Sequence, residues 1–375
     1  MDFDFTAEQQ ALRDAVARWV DKGFPFERRQ RISRAGGATR AVLTELAGLG
    51  LTGLTVPQAD GGLGCGAVEA MVVMEELGRG LVNAPYAHAA LITPALLAAA
   101  PAAAHSNWPQ RVADGSALIV LAHQEPPSRY RLAQVQTRAR RDGEHWSITG
   151  AKSVVPAGDE ADAFIVPARS TGADDDEAGI GLYLVERGHV RVRAYPTQDG
   201  ARAAEVVLQE SAATLLVAEG YAVLEAAIDV GLAAQCAEAV GLMDRLLVLT
   251  ADYLNTRRQF GVPIASFQAL RHRMADVKMQ LELARSMSYF ATLTLDRERA
   301  ARRRAISQAC VQLGQSMRFV GQQCIQLHGG IGVTDEHLAS HLFKRLTMLE
   351  LNFGDTLHHL GEVSARMQDT AGVFA

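Results

Sequence analysis

Cysteine is scarce in this chain and scattered along it. The four thiols, Cys65, Cys236, Cys310 and Cys324, lie far apart in 375 residues and never form a C-x-x-C pair. That spacing argues against a disulfide-stapled scaffold or a zinc finger and predicts reduced, mostly buried thiols. The tandem His358-His359 is a poor metal pair, because adjacent side chains diverge around a helix. An excess of one charge is also missing. Lys and Arg number 37 against 42 Asp and Glu, a formal net charge of −5 with no long basic run, which argues against nucleic acid as the main partner. The longest uncharged run, Leu81 to Ala104, is mostly alanine and is broken by Pro85, Pro94 and Pro101, so no membrane span is expected there. The start, MDFDFTAEQQ, is acidic and unlike a secretory n-region. These absences predict a cytoplasmic protein.

What is present is apolar material in quantity, 48% of the residues. The length exceeds the roughly 250–300 residues at which a single core stops growing, so at least two packed units are expected. From Phe5 to about Ala104 apolar residues recur at helical spacing, as in Leu12, Val16 and Trp19/Val20, then Leu43, Leu46 and Leu49. Thr6 with Gln9 forms a candidate capping box. Between about Ser116 and Leu208 the period changes. ALIVLAHQ, HWSITG, AFIVPAR, IGLYLVE, VRVRAYP and AAEVVLQ are short β-branched segments separated by turn residues, the pattern of a small antiparallel β-domain. The stretch from Ser170 to Gly179, STGADDDEAG, reads as a solvated loop. From about Glu219 helices return, with Phe267, Leu270, Met274, Val277, Leu281 and Ala284 stepping as on a bundle face. The expected fold is α+β and mainly α: a helical domain over 1–115, a β-domain over 116–215 and a helical bundle over 216–375.

The most informative stretch is Asn255 to Gln268, NTRRQFGVPIASFQ. Arg257 and Arg258 are forked donors suited to a pyrophosphate, and Phe260 offers an aromatic face beside them. RRQFGVPIASFQ resembles the R-x-x-F-G-x-x-I/L-x-x-x-Q signature of the acyl-CoA dehydrogenase family, and QLHGGIGVTDE, from Gln326, resembles its Q-x-x-G-G-x-G partner segment. FDFTAEQQALRDAV, GGLGCGAVEAMVVMEELGR and ITGAKSV extend the likeness over most of the chain.

The resemblance implies FAD held across a subunit interface. The half given to a neighbour is intact: Arg257, Phe260 and Gly261 match the pyrophosphate contacts, Gln268 matches the FAD-contacting Gln, and Gln326 with Gly329 and Gly330 matches the glycine-rich approach. The half kept for the subunit's own flavin ring is altered. The family's T-E-P loop becomes His123-Gln124-Glu125-Pro126, and its G-S-D becomes Ser128-Arg129-Tyr130. Its K-x-W-I-S/T, whose hydroxyl bonds the flavin, becomes Lys152-Ser153-Val154-Val155-Pro156. The catalytic Glu is replaced at both of its family positions, by Phe353 and by Gly231. Asp355 is a displaced candidate base, Asp229 matches a residue that contacts the CoA ester, and Glu350 is expected in a structural polar network.

This pattern resembles the small, non-catalytic subunit of pimeloyl-CoA dehydrogenase-type heterotetramers, whose catalytic partner supplies the base. The alternatives are a self-sufficient homo-oligomeric acyl-CoA dehydrogenase using Asp355 or Asp229, and a non-enzymatic scaffold that binds CoA esters.

Overall fold

A computed structural model describes residues 4–371, with side chains to residue 367. The first three residues of MDFDFTAEQQ, where the FDFTAEQQALRDAV likeness begins, lie outside the described residues. Seven helices come first: α1 (Ala7–Gly23), α2 (Phe26–Arg34), α3 (Arg40–Gly48), α4 (Ala67–Arg79), α5 (Thr93–Ala98), α6 (Ala102–His105) and α7 (Trp108–Ala113). Seven strands follow: β1 (Ile119–Leu121), β2 (Arg138–Asp142), β3 (His145–Pro156), β4 (Ala163–Arg169), β5 (Ile180–Glu186), β6 (Val190–Pro196) and β7 (Arg202–Val217). The remainder is α8 (Tyr221–Thr256), the short strands β8 (Arg258–Gln259) and β9 (Val262–Pro263), then α9 (Gln268–Leu293), α10 (Arg299–His328), α11 (Leu338–Leu351) and α12 (Thr356–Ala371). The helix, sheet, helix order is the one expected.

Packing divides the chain into two compact units. One comprises Met1–Arg29, Ala67–Val82 and Leu232–Ala375; the other comprises Gln30–Gly66 and Asn83–Gly231.

In the first unit α1 starts at the expected capping box, with Gln9 N donating to Thr6 Oγ1 at 3.2 Å and Thr6 N to Gln9 Oε1 at 3.0 Å. Val16 and Val20 form its buried edge, and Arg13 reaches α4 through a 2.9 Å ion pair to Glu75. Helices α4 and α8 cross backbone to backbone. A Cβ at Gly241 would lie 1.9 Å from the Glu75 carbonyl oxygen, and one at Gly78 would lie 2.2 Å from that of Glu238. Gly241→Ala must therefore push the helices apart, and we expect a loss of about 1–3 kcal/mol. A urea titration checks this as a lower midpoint at unchanged slope.

On α9 the buried residues are Val277, Leu281, Ala284, Ser288, Ala291 and Thr292, whereas Phe267 at its start is exposed. Leu49, counted with the α3 stripe, is exposed as well, because it falls in the turn after the helix. Among the described residues one helix, Tyr221–Thr256, is long and apolar enough to cross a membrane, but 83% of its most apolar window is buried inside the protein. The free thiols Cys236 and Cys324 are buried, and Cys65 and Cys310 are partly covered.

In the second unit the strand order is β1-β4-β2-β3-β7-β5. Strand β5 also pairs with β4, so β4, β2, β3, β7 and β5 close on themselves, with β6 attached to β7. Most pairs are antiparallel as expected, but β1 and β2 both run parallel to β4. Every residue of β4 is buried, as its near-continuous apolar run requires.

The Ser170–Gly179 loop is more than solvated chain. Arg169, at the end of β4, is fully buried, and its guanidinium donates to the carbonyls of Asp176 at 2.7 Å, Ala178 at 2.8 Å and Ala133 at 3.0 Å. Asp174 pairs with Arg138 and Asp176 accepts from Ala173 N at 2.7 Å, while the loop's backbone carbonyls close around Arg169, satisfying a buried cation without a buried carboxylate.

Candidate functional site

The Arg257–Gly261 stretch folds as a two-residue β-hairpin. Strand β8 pairs with β9 through Arg258 with Pro263 and Gln259 with Val262, and Ile264 N donates to Arg257 O at 2.8 Å. Both turn residues, Phe260 at φ 53° and Gly261 at φ 79°, are left-handed, as a type I′ turn requires. Glycine adopts that conformation freely; phenylalanine does so at a cost of about 1 kcal/mol or more. Phe260 is nonetheless 90% exposed, touching Phe267 edge-on at 6.1 Å. A strained aromatic ring left in water serves no folding purpose, which marks the turn as a contact surface. Arg257 and Arg258 are exposed beside it, and among the described residues neither makes an ion pair.

The other matched residues gather at the same end of the bundle. Ser316 Oγ donates to Gln280 Oε1 at 3.0 Å and sets the register of the antiparallel pair α9 and α10. Twelve residues back along α9 is Gln268, and twelve forward along α10 is His328. His328 stacks on Tyr253 of α8, with centroids 4.7 Å apart, just before the hairpin. Its Nδ1 lies 2.8 Å from Cys324 O, and burial lowers its pKa. Gln326 is exposed, and Gly329 (φ 64°) and Gly330 have nothing within 4 Å of a would-be Cβ. Two guanidinium forks without carboxylate partners, Arg258 donating only to Gly261 O at 3.4 Å, an open aromatic face and bare glycine backbone suit a diphosphate carried on a planar base.

The segments matched to the flavin-ring contacts belong to the β-containing unit and are tied to each other. Ser153 N donates to Gln124 O at 2.8 Å. Glu125 and Lys152 are buried and joined at 2.6 Å, and the carboxylate also accepts from Gln136 N at 2.8 Å and Thr137 N at 3.1 Å. Burial opposes ionisation of Glu125, yet Lys152 and the backbone donors bring its pKa below the ordinary value. Between Lys152 and Val155 the β3–β7 register breaks in a bulge. There Val154 takes φ 53° and is 41% exposed. A β-branched residue in left-handed conformation is a genuine outlier, and Pro156 two residues on has no hydroxyl or N–H to give. The tryptophan and hydroxyl that the resemblance implies for this segment are absent from it.

His123, which precedes the Gln124-Glu125-Pro126 loop, has its pKa lowered to about 3 by burial, then by His88 and Lys152. Between pH 6.5 and about 3 the unfolded chain binds a proton here that the folded chain does not, so stability falls as pH falls through that window. His123→Gln should flatten this acid limb in melting curves taken from pH 7 to pH 4; an unchanged limb would refute the assignment.

The two positions that the resemblance matches to the base carry no carboxylate. Phe353, at φ 54°, sits in the turn between α11 and α12. Gly231 is a buried residue inside α8. Asp355 Oδ1 accepts from His358 N at 2.8 Å, which makes it the cap of α12. Glu350 accepts from Thr356 Oγ1 at 2.7 Å and Arg318 Nη2 at 3.3 Å, the structural network expected of it. Asp229 is fully buried. The rings of His358 and His359 meet at 72°, and no metal-binding cluster occurs among the described residues. Sequence reasoning missed the Glu125–Lys152 pair and the three left-handed residues Phe260, Val154 and Phe353. Phe260 and Phe353, each followed by glycine, carried a turn signal; Val154 carried none.

Family models described as acyl-CoA dehydrogenase N-terminal, middle and C-terminal domains match residues 6–116, 121–210 and 218–368. The chain is 26% identical over 370 residues to the probable acyl-CoA dehydrogenase YngJ of Bacillus subtilis, covering 94% of this chain and 96% of that one. Among solved structures, a variant of the Tcur3481-Tcur3483 steroid ACAD superposes with a TM-score of 0.87 at 26% identity, covering 97% and 99% of the two chains. The glutaryl-coenzyme A dehydrogenase complex with glutaryl-CoA superposes at 0.92, over 98% and 97%, with 20% identity, a likeness of fold alone. With three consecutive domain models in order and both glycine and arginine segments at one end of the bundle, this chain belongs to the acyl-CoA dehydrogenase family of FAD-dependent oxidoreductases.

Proposed function

We propose that this chain is the non-catalytic subunit of a heteromeric α2β2 acyl-CoA dehydrogenase. It grips the adenosine and pyrophosphate end of an FAD whose ring, together with the carboxylate base, belongs to a catalytic partner acting on a CoA thioester. The observation that carries the reading is the β3 bulge, where strained Val154 and Pro156 replace the residues that would hold the subunit's own flavin ring. Phe353 and Gly231 at the two base positions agree with it. Arg257, Phe260, Gly261, Gln268, Gln326, Gly329 and Gly330 hold the tail, and FAD bound there supplies the hydride acceptor to the partner's site.

Uncovered apolar faces support an assembly. Met279, Leu283, Phe290 and Leu293 on α9, and Leu357, Leu360 and Met367 on α12, are all exposed in the single chain, more than a monomer ordinarily leaves in rows. The steroid ACAD similar to this chain bears a paired name, and a paired assembly is what the reading requires. We place the protein in the cytoplasm and keep 1–115, 116–215 and 216–375 as its sequence domains.

The test is co-expression with acyl-CoA dehydrogenase-type chains encoded beside it, followed by assay of α,β-dehydrogenation of CoA thioesters. Replacing the partner's base Glu by Gln should lower the rate about 10²- to 10⁴-fold, whereas Asp355→Asn in this chain, whose amide oxygen can still cap α12, should leave kcat unchanged. Collapse of activity in Asp355→Asn at unchanged stability would instead establish the self-sufficient enzyme. Inactivity with every partner, and no flavin, would leave the scaffold.

A further inference from the structure

The glycine-rich connection between α10 and α11 is held at both ends by histidines. At its start His328, stacked on Tyr253, also faces the ring of His337 at 4.9 Å, so the two ends of the connection meet. Near its far end the carbonyl oxygen of Asp335 lies 2.8 Å from Nε2 of His341, a buried residue of α11. On the other side of that ring, Nη1 of the buried Arg29 of α2 lies 2.8 Å from Nδ1. Phe26, one turn before Arg29, meets the imidazole edge-on at 5.1 Å. These contacts fix the protonation state of His341. A carbonyl oxygen only accepts and a guanidinium only donates, so Nε2 carries the proton and Nδ1 offers its lone pair. The ring is neutral, and it joins a buried arginine to the backbone of the glycine-rich segment. A second proton would set one N–H against another at Arg29. The charged groups that face the ring are Arg29, Asp335 and Lys344. The Asp335 carboxylate, 3.6 Å from Nε2, is largely exposed and already paired with Lys344 at 3.1 Å, so the buried arginine outweighs it. Burial, with Arg29 adding to it against the Asp335 carbonyl, keeps the pKa of the ring below its ordinary value.

We infer that His341 is a positioning residue for the flavin-tail site: its neutral ring, braced by Arg29, holds Asp335 and with it the segment that presents Gly329 and Gly330, and a proton on Nδ1 releases that hold. The inference rests on the tail-binding role proposed above for the two glycines. The hold is complete at pH 7.5 and is lost as pH falls through the lowered value of the ring, on the acid side of about pH 6.5. The residues matched to the tail are arginine, phenylalanine, glutamine and glycine, none of which changes charge in that range. A pH-dependent grip on the cofactor must therefore come from the histidines that support them.

The experiment has two arms. In the full-length chain alone, hydrogen exchange of the amides from Gly329 to Leu338, corrected for the intrinsic rate at each pH, should quicken about 3- to 10-fold between pH 7.5 and pH 4.5, the worth of one hydrogen bond. In the assembled enzyme the Kd for FAD should rise by a similar factor over the same interval. His341→Gln keeps an acceptor for Arg29 and a donor for Asp335 but does not titrate. It should stay near the pH 7.5 values and flatten both profiles. His341→Leu loses both partners and should show the faster exchange and the weaker binding at every pH. His328 and His337 are untouched in both variants, so any slope that they cause survives in His341→Gln. Exchange that keeps its slope in His341→Gln, or has none in the unaltered chain, would overturn the inference. So would exchange that behaves as expected beside an FAD affinity indifferent to pH and to both variants. An assembly that binds no FAD would sink the shared-cofactor reading and this role with it, while the exchange profile still shows whether His341 holds the segment. Should His341→Leu fail to fold, the His341→Gln profiles decide the matter alone.

Discussion

Lys152→Ala should destabilise the folded chain by about 3–5 kcal/mol, enough to leave much of it unfolded near 37 °C. The lysine is 0% exposed, and its ammonium meets Glu125 at 2.6 Å. Removing it strands a buried carboxylate that still accepts from two backbone N–H groups, so the carboxyl must either stay charged in an apolar site or take a proton and weaken those bonds. The companion variant separates the pair from its packing. Lys152→Met with Glu125→Leu removes both charges at similar volume and should regain most of the loss. The acid side carries the same sign. Because the folded pKa of Glu125 lies below its ordinary value, its contribution is present above about pH 4.3 and is lost as pH falls through the folded value. Chemical denaturation at pH 7 and pH 3.5 checks both points. A Lys152→Ala loss under 1 kcal/mol would mean that the pair is solvated and does not organise the loop.

Arg257→Ala should weaken FAD binding by the assembled enzyme about 10- to 150-fold, the worth of roughly 1.5–3 kcal/mol for hydrogen bonds from a charged donor. The guanidinium is exposed at the foot of the hairpin, so its loss should leave the melting temperature of the isolated chain within about a degree, as expected of a surface change of under 0.5 kcal/mol. Arg257→Lys keeps the charge and loses the fork, and should fall between the two. A flavin fluorescence titration gives Kd directly. At saturating FAD, kcat should be unchanged, because the tail is remote from the reacting atoms. Unaltered Kd in Arg257→Ala would remove the arginine from the site.

The sequence revealed the parts of this fold whose signal is local. Thr6 and Gln9 specify a capping box within four residues, and both bonds form. The β-branched segments Ala163–Arg169 and Ile180–Glu186 form strands because burial on both faces demands apolar runs. Strand β2, RARRD, was not legible: Ala139 is its only buried residue, and its place between β3 and β4 comes from pairing with distant residues rather than from its own composition. Arg169 was hidden for a related reason, since its partners are carbonyl oxygens, which every residue has. At the candidate site the signature residues could be named, but the backbone that presents them could not. Phe260, Val154 and Phe353 hold positive φ only because surrounding structure imposes it. Asp355 shows the opposite case: its place just before a helix fits a cap as well as a base, and its oxygen accepts from His358 N.

Flavin content per chain is the decisive quantity. The protein purified alone should carry less than about one FAD per ten chains, the ring having no pocket of its own and the tail contacts alone giving only weak affinity. Purified with its catalytic partner, it should carry one FAD for each pair of unlike chains. A yellow protein with one FAD per chain in the absence of any partner would overturn the shared-cofactor reading.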